Sequence, residues 1–187
     1  MTLGLGDCSD GELAALALAG RQPAYGELLA RHRASVFRLA RANTSDDDAA
    51  LDVTQEAFIA AFAALKSYDE SRPFKTWVSR IALNKCRDWA RRRAVRRFFS
   101  FALPIEAADA VSDDSVPADQ QLADRAELAR VREAIAKLPS AIREPLVLRT
   151  IEGLTQAEAA EVLGISEKAV ETRLYRARMK LTEYLRD

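Results

Sequence analysis

A chain of 187 residues, 49% apolar and 30% charged, has the size and composition of one or two soluble globular domains. A single histidine and two cysteines argue against His-based catalysis, the usual zinc sites and a disulfide framework, and a formal net charge of zero promises no overall attraction to polyanions. Only seven glycines and six prolines, against abundant Ala, Leu, Arg and Glu, favour helix over sheet.

Residues 1–10 carry neither a basic n-region nor an apolar stretch of signal-peptide length, and no run of ~18 apolar residues occurs, so a cytoplasmic protein without a membrane span is expected. Four amphipathic segments follow. Asp10–Ala19 is short and Ala-rich. Pro23–Ala42 places Leu28, Val36 and Leu39 at helical spacing among polar residues. Ser45–Leu65 opens with Asp46, Asp47 and Asp48, which suit the positive end of a helix dipole. Its core-facing row is Phe58, Phe62 and Leu65, with Leu51. The opposite stripe, Asp52, Glu56, Ile59 and Ala63, is acidic and then apolar. It reads either as a solvated face or as the seat of a protein partner with a basic, partly apolar groove.

The fourth segment, Arg72–Arg93, follows the polar loop Lys66–Ser71 and has Pro73 where a first helical turn tolerates it. Charge is concentrated here. Ten basic residues and one acid, Asp88, lie between Arg72 and Arg97, whereas Phe98–Glu127 holds seven acids and one base, Arg125. A basic block beside an acidic block is a local footprint that the net charge conceals. Phe74, Val78, Ile81, Ala82 and Trp89 form the inward side. Arg80, Asn84, Arg87 and Arg91 recur at spacings of four, three and four in one narrow stripe. Guanidinium groups in line can follow a phosphate backbone, and an amide among them can read a base edge. Trp77, beside the stripe, fits the core better than a stacking platform for an unpaired base.

Between about 98 and 121 no period holds, and Pro104, Pro117 and scattered serines and aspartates mark a flexible linker. Its apolar island, Phe98, Phe99, Phe101 and Leu103, is either a strand or turn packed back on the first domain or a docking segment for a partner. Helix returns at Asp119–Leu138, with Leu128, Val131, Ile135 and Leu138 in one row, then at Ser140–Ile151, Thr155–Leu163 and Glu167–Leu185. The last two are the most specific signal in the chain. Thr155 and Glu158 make a capping box, Gly164 suits a left-handed C-cap, Ile165 points inward and Ser166 is an N-cap for the next helix. Helix, glycine turn and helix is the helix-turn-helix layout of DNA readers. In the second helix Val170, Leu174, Ala177 and Leu181 face inward. Lys168, Thr172, Tyr175, Arg176 and Met179 lie opposite, flanked by Arg173 and Lys180 on one edge and Glu171 and Arg178 on the other.

These pieces, in this order, resemble the sigma-70 family, specifically its extracytoplasmic-function (ECF) group. Asp52-Val-Thr-Gln-Glu-Ala-Phe58 is similar to that family's region 2.2, Phe74-Lys-Thr-Trp-Val-Ser-Arg-Ile-Ala-Leu-Asn84 to regions 2.3–2.4, and Leu138-Pro139, Arg143, Glu152–Glu158 and Val170–Arg178 to region 4. The resemblance implies an all-α fold of two small helical domains, a four-helix region 2 over 10–97 and a helix-turn-helix region 4 over 122–187, joined by a flexible linker, 98–121. It implies no catalysis, no cofactor and no small-molecule substrate. Region 2 would bind the β′ clamp helices of core RNA polymerase through Asp52, Gln55, Glu56 and Ile59. It would recognise the −10 element through Lys75, Trp77, Arg80, Asn84, Arg87, Arg91 and the loop Lys66–Pro73. Region 4 would read the −35 element through Lys168, Glu171, Thr172, Arg173, Tyr175, Arg176 and Arg178, and contact the β flap. An anti-sigma factor, often membrane-anchored, would hold such a protein inactive. The stretch Leu83–Asp88, Phe98–Phe101 and Val170-Glu171 resemble the branch controlling metal-resistance genes. Glu171 departs from the basic or neutral residue of many relatives; it should repel phosphate yet can accept from a cytosine amino group.

The main alternative is a helix-turn-helix regulator that binds duplex DNA without polymerase, but the first half shows no βα pattern for a sensor domain. An enzyme lacks support: there is no phosphate-cradling glycine loop, metal cluster or nucleophile–base pair.

Overall fold

A computed structural model describes residues 4–102 and 119–186. All regular structure among them is helical: α1 (Asp10–Leu18), α2 (Gln22–Thr44), α3 (Asp47–Ala63), α4 (Phe74–Ala102), α5 (Asp119–Lys137), α6 (Ser140–Leu146), α7 (Gln156–Leu163) and α8 (Glu167–Arg186), with short 3-10 turns at Leu5–Asp7 and Leu65–Ser67 and a π turn at Val147–Ile151.

Local chemistry sets the helix starts. Ser9 and Glu12 form a capping box on α1, and the Asp46 carboxylate accepts from the Ala49 amide at 2.8 Å to begin α3. α2 ends at Ser45, a non-glycine residue in the left-handed region (φ 58°). Arg31, on α2, gathers the N-terminal turn: its guanidinium donates to the carbonyls of Leu5, Gly6 and Cys8 and to Asp10, while its Nε reaches Glu27.

The first four helices pack around Leu13, Leu28, Val36, Leu39, Phe58, Leu65, Phe74 and Val78, all essentially inaccessible. In the second half α6, α7 and α8 enclose Leu146, Val147, Leu148, Val162, Val170 and Leu174. Both bundles are thus as expected, but they are not separate. α7 lies on α4, α2 packs against α5 and the π turn, and the apolar residues of the two halves form one continuous cluster.

Two readings need correction. α4 does not stop near Arg97. It continues through Phe98 and Phe99 to Ala102, about 43 Å in all at 1.5 Å per residue, so Phe98 and Phe99 form neither a strand nor a turn. They stand exposed as an edge-to-face pair at 5.8 Å. α5 begins at Asp119, where the helical pattern was expected to return. Phe101 is helical backbone, and Leu103 lies outside the described residues, as do residues 104–118 of the linker. Second, Leu51 is not in the core: 47% of it is exposed, although it shares a face with Phe58. At its level the space between α2 and α3 is an open groove, lined also by Leu29, Arg33, Gln55, Ile59 and Phe62, because the inward contacts of α3 are made one position away by Ala50, Val53 and Ala57.

Candidate nucleic-acid and polymerase interfaces

The helix-turn-helix has the expected joints. The Glu158 amide bonds Thr155 Oγ1 at 3.2 Å while the Glu158 carboxylate accepts from the Thr155 amide, and these bonds hold the Glu158 carboxyl below its usual range. Gly164 turns the chain at φ 67°, and Ser166 Oγ accepts from the Ala169 amide at 3.2 Å to open α8. The Gln156 side chain donates to the Glu167 carbonyl at 3.1 Å, which fixes α7 against α8. Val170, Leu174 and Ala177 are buried and Leu181 half-buried. The opposite face is open. Lys168, Glu171, Thr172, Tyr175, Arg176 and Arg178 are exposed, and Arg173 is half-buried at its edge. Lys168 bonds Glu171 at 2.9 Å, so part of the repulsion Glu171 would exert on a phosphate is already balanced. The Thr172 hydroxyl donates to the Lys168 carbonyl and keeps its lone pairs as acceptors.

The arginine stripe of α4 is placed differently. Arg80, Asn84 and Arg91 are exposed, and Arg91 bonds Asp88, one turn back. Arg87 is half-buried against the second half. It makes a two-point bond to the buried Glu144 carboxylate, Nε at 3.0 Å and Nη2 at 2.6 Å, and reaches Asn84 Oδ1 at 3.3 Å. Glu144 raises the pKa of this guanidinium further. Lys75 donates to the Glu152 carbonyl and lies 3.6 Å from its carboxylate. Thr76 reaches Glu158 at 3.4 Å, and Arg72 bonds Glu161. Trp77 joins Tyr68 and Phe74 in a ring cluster at 5.3 Å centroid spacing, in keeping with a packing role. The cationic face of α8 is therefore open, whereas that of α4 is open only in part. Its Lys75 end and Arg87 are covered by acids of the second half, while Arg80, Asn84 and Arg91 stay open.

Those acids were missed in the sequence. Glu144, Glu152, Glu158 and Glu161 are separated by one base, Arg149, and that run complements the basic block at 72–97. Glu152 is the most enclosed. The π turn, closed by the Glu152 amide on the Val147 carbonyl at 3.0 Å, carries it inward, where Ser35 donates to its carboxylate and Arg38 approaches at 3.3–3.4 Å. Its Oε1 nonetheless has no aligned donor.

On α3, Asp52, Gln55 and Ile59 are exposed, Ile59 by 63%, and with Leu51 they form a mixed apolar and polar face. Glu56 turns aside towards α4, where Arg92 lies at 3.3 Å and Lys85 at 4.0 Å. Among the described residues no group of His, Cys, Asp and Glu is arranged to hold a metal ion, and no helix is long and apolar enough to cross a membrane. Both cysteines are free thiols. Burial pushes that of Cys86 up to about 12, with nearby Glu144 adding to the shift.

Comparison with known proteins agrees with this geometry. Residues 28–96 match the family model of sigma-70 region 2, and residues 128–181 match that of sigma-70 region 4. The chain is 45% identical over 180 residues to the RNA polymerase sigma factor CnrH of Cupriavidus metallidurans, covering 95% of this chain and 94% of that protein. It is 40% identical to the sigma factor NccH of Alcaligenes xylosoxydans xylosoxydans (94% of each) and 31% identical to the ECF sigma factor SigW of Bacillus subtilis (90% of this chain, 92% of that one). A solved structure of CnrH in complex with the cytosolic domain of CnrY superposes with a TM-score of 0.69 at 39% identity, over 94% of this chain and 96% of that one. CnrH and NccH are the metal-resistance branch that the sequence resembled. With region 2 and region 4 in order and relatives matched nearly end to end, the chain belongs to the sigma-70 family and is an RNA polymerase sigma factor of the ECF group.

Proposed function

We propose that this sigma factor works in the cytoplasm, without catalytic activity of its own, by docking on core RNA polymerase and holding promoter DNA at two places. The observation that carries the reading is the exposed face of α8: a capped helix-turn-helix whose second helix leaves Lys168, Thr172, Tyr175, Arg176 and Arg178 free to enter a major groove. On this reading α8, with Glu171 and Arg173, reads the −35 element, and the second half meets the β flap. Arg80, Asn84, Arg87, Arg91, Lys75 and Trp77 recognise the −10 element, with Asn84 reading a base edge and the guanidinium groups following phosphates. The exposed Leu51, Asp52, Gln55 and Ile59 meet the β′ clamp helices; Glu56, engaged by Arg92, steadies α4 beside that face.

A domain plan of 10–97, linker 98–121 and 122–187 serves this function, provided the halves part when both promoter elements are held at once. The complex of the relative CnrH with the cytosolic domain of CnrY supports regulation by an anti-sigma factor, and a partner with a cytosolic domain fits a membrane-anchored one.

The test is capture of core polymerase by the tagged chain, followed by run-off transcription from its promoters. Stable core binding and promoter-dependent transcripts are expected. Tight, sequence-specific duplex binding by the free chain with no affinity for core would overturn the reading in favour of a simple regulator.

A further inference from the structure

We propose that the cleft between α2, the last turns of α5 and the π turn is a binding site for a small amphipathic anion, an apolar ring-sized body carrying one acidic group that Arg132 receives. None of the α3, α4 or α8 residues given a role above lines this cleft.

The cleft has a volume of about 430 Å³, within the ~300–1,000 Å³ typical of small-molecule sites. Its apolar lining comes from both halves of the chain: Ala42 near the end of α2, Ile135 and Ala136 of α5, and Ile151 of the π turn. All four keep part of their surface in solvent. α2 and α5 pack against each other here, yet two of the four side chains are alanines, too short to fill the space that a close-packed interface would occupy. Withdrawing that apolar surface from water is what draws a hydrophobic body in.

The charges around the cleft select the sign of the ligand. Five charged side chains border it, and four are committed elsewhere. Asp47 bonds Arg41, Glu133 bonds Lys137 at 2.9 Å, and Arg38 lies 3.3 Å from the buried Glu152 carboxylate. Arg132 is exposed and, among the described residues, makes no ion pair or hydrogen bond. Both acids of the rim are thus already answered, and the charge left over is positive. A guanidinium presents its N–H donors as a fork that grips a carboxylate, sulfonate or phosphate at two points. Arg38, with half of its side chain exposed, adds a second cation beside it. Because its walls belong to both halves, the cleft lets an occupant touch both and stabilise their contact.

The experiment uses the full chain and two fluorescent probes of nearly the same shape: 8-anilinonaphthalene-1-sulfonate, and N-phenyl-1-naphthylamine, which lacks the sulfonate. The parent should bind the sulfonate saturably at one site, ~5-fold more tightly than the neutral probe. Arg132→Gln should erase that preference and leave the neutral probe unaffected. Ala136→Trp, which fills the cleft from α5, should lose both probes, and the sulfonate should raise the melting temperature of the parent and not of this variant. A preference that survives Arg132→Gln overturns the proposal. So does one that Arg33→Gln also removes, since the probe would then sit in the open groove between α2 and α3. Undiminished binding by Ala136→Trp overturns it as well. Should Ala136→Trp lose its helical circular dichroism, Ala42→Leu, a smaller filling from α2, decides, with both probes bound ~5-fold more weakly than by the parent and parity overturning the proposal.

Discussion

Replacing Arg176 with alanine separates promoter reading from every other role of the chain. Arg176 is exposed in the middle of the open face of α8 and, among the described residues, makes no ion pair or hydrogen bond. Truncation therefore costs the fold little, about 0.5 kcal/mol or less, as for other surface positions. On the promoter it removes a cation from the recognition helix. If the guanidinium grips a guanine edge, the loss is ~1–3 kcal/mol, or ~5–150-fold in affinity, and is confined to promoters carrying that base. If it grips a phosphate, binding weakens on all sequences and the slope of log affinity against log salt flattens by about 0.9. Fluorescence anisotropy of holoenzyme on labelled promoters at several salt concentrations distinguishes the two, and native gels measure core binding in parallel. Undiminished promoter binding, or loss of core binding, refutes the assignment of α8 to the −35 element.

Ile59→Asp should abolish capture of core polymerase while shifting the melting temperature by no more than a degree or two, since the side chain is mostly in solvent; a large drop in melting temperature would place Ile59 in the fold instead. Thr155→Ala removes the N-cap of α7 and should cost about 1 kcal/mol in denaturant unfolding, with −35 binding falling alongside as the turn loosens. Alkylation of the native chain should modify Cys8 quickly and Cys86 hardly at all. The folded Cys86 pKa, near 12, lies above the unfolded value of 9.0, so the stability it contributes is complete below pH 9 and declines as pH rises from there towards 12. Unfolding titrations between pH 8 and 11 should show that decline in the parent and a smaller one in Cys86→Ala; identical curves would show that the thiol is not buried. Phe74→Ala, at a fully buried ring, should cost ~3–5 kcal/mol.

What was legible in the sequence was whatever depends on near neighbours. Helix starts at Asp46, Thr155 and Ser166, the Gly164 turn and the inward row Val170, Leu174 and Ala177 are all set by residues three or four apart, where spacing determines the outcome. Reading failed where position along a helix had to be converted into burial. Leu51 has the same helical phase as Phe58, but about two turns nearer the helix N-terminus it faces an open groove. The run Arg91, Arg92, Arg93, Arg96 and Arg97 looked like the end of a helix, which the dipole favours for cations, yet none of them lies in the last turn and the helix goes on to Ala102. The pairing of Arg87 with Glu144 spans 57 residues and no local pattern encodes it.

The zero net charge takes on meaning in that light. The acids that balance the basic block of α4 include four in region 4, placed so that each meets a donor on or just before α4. Strong phosphate affinity in a free sigma factor would scatter it over the genome, since contacts with the DNA backbone carry no sequence information and non-promoter sites vastly outnumber promoters. With Arg87, Lys75 and Arg72 paired to its own carboxylates, the chain presents fewer free cations to a chance duplex.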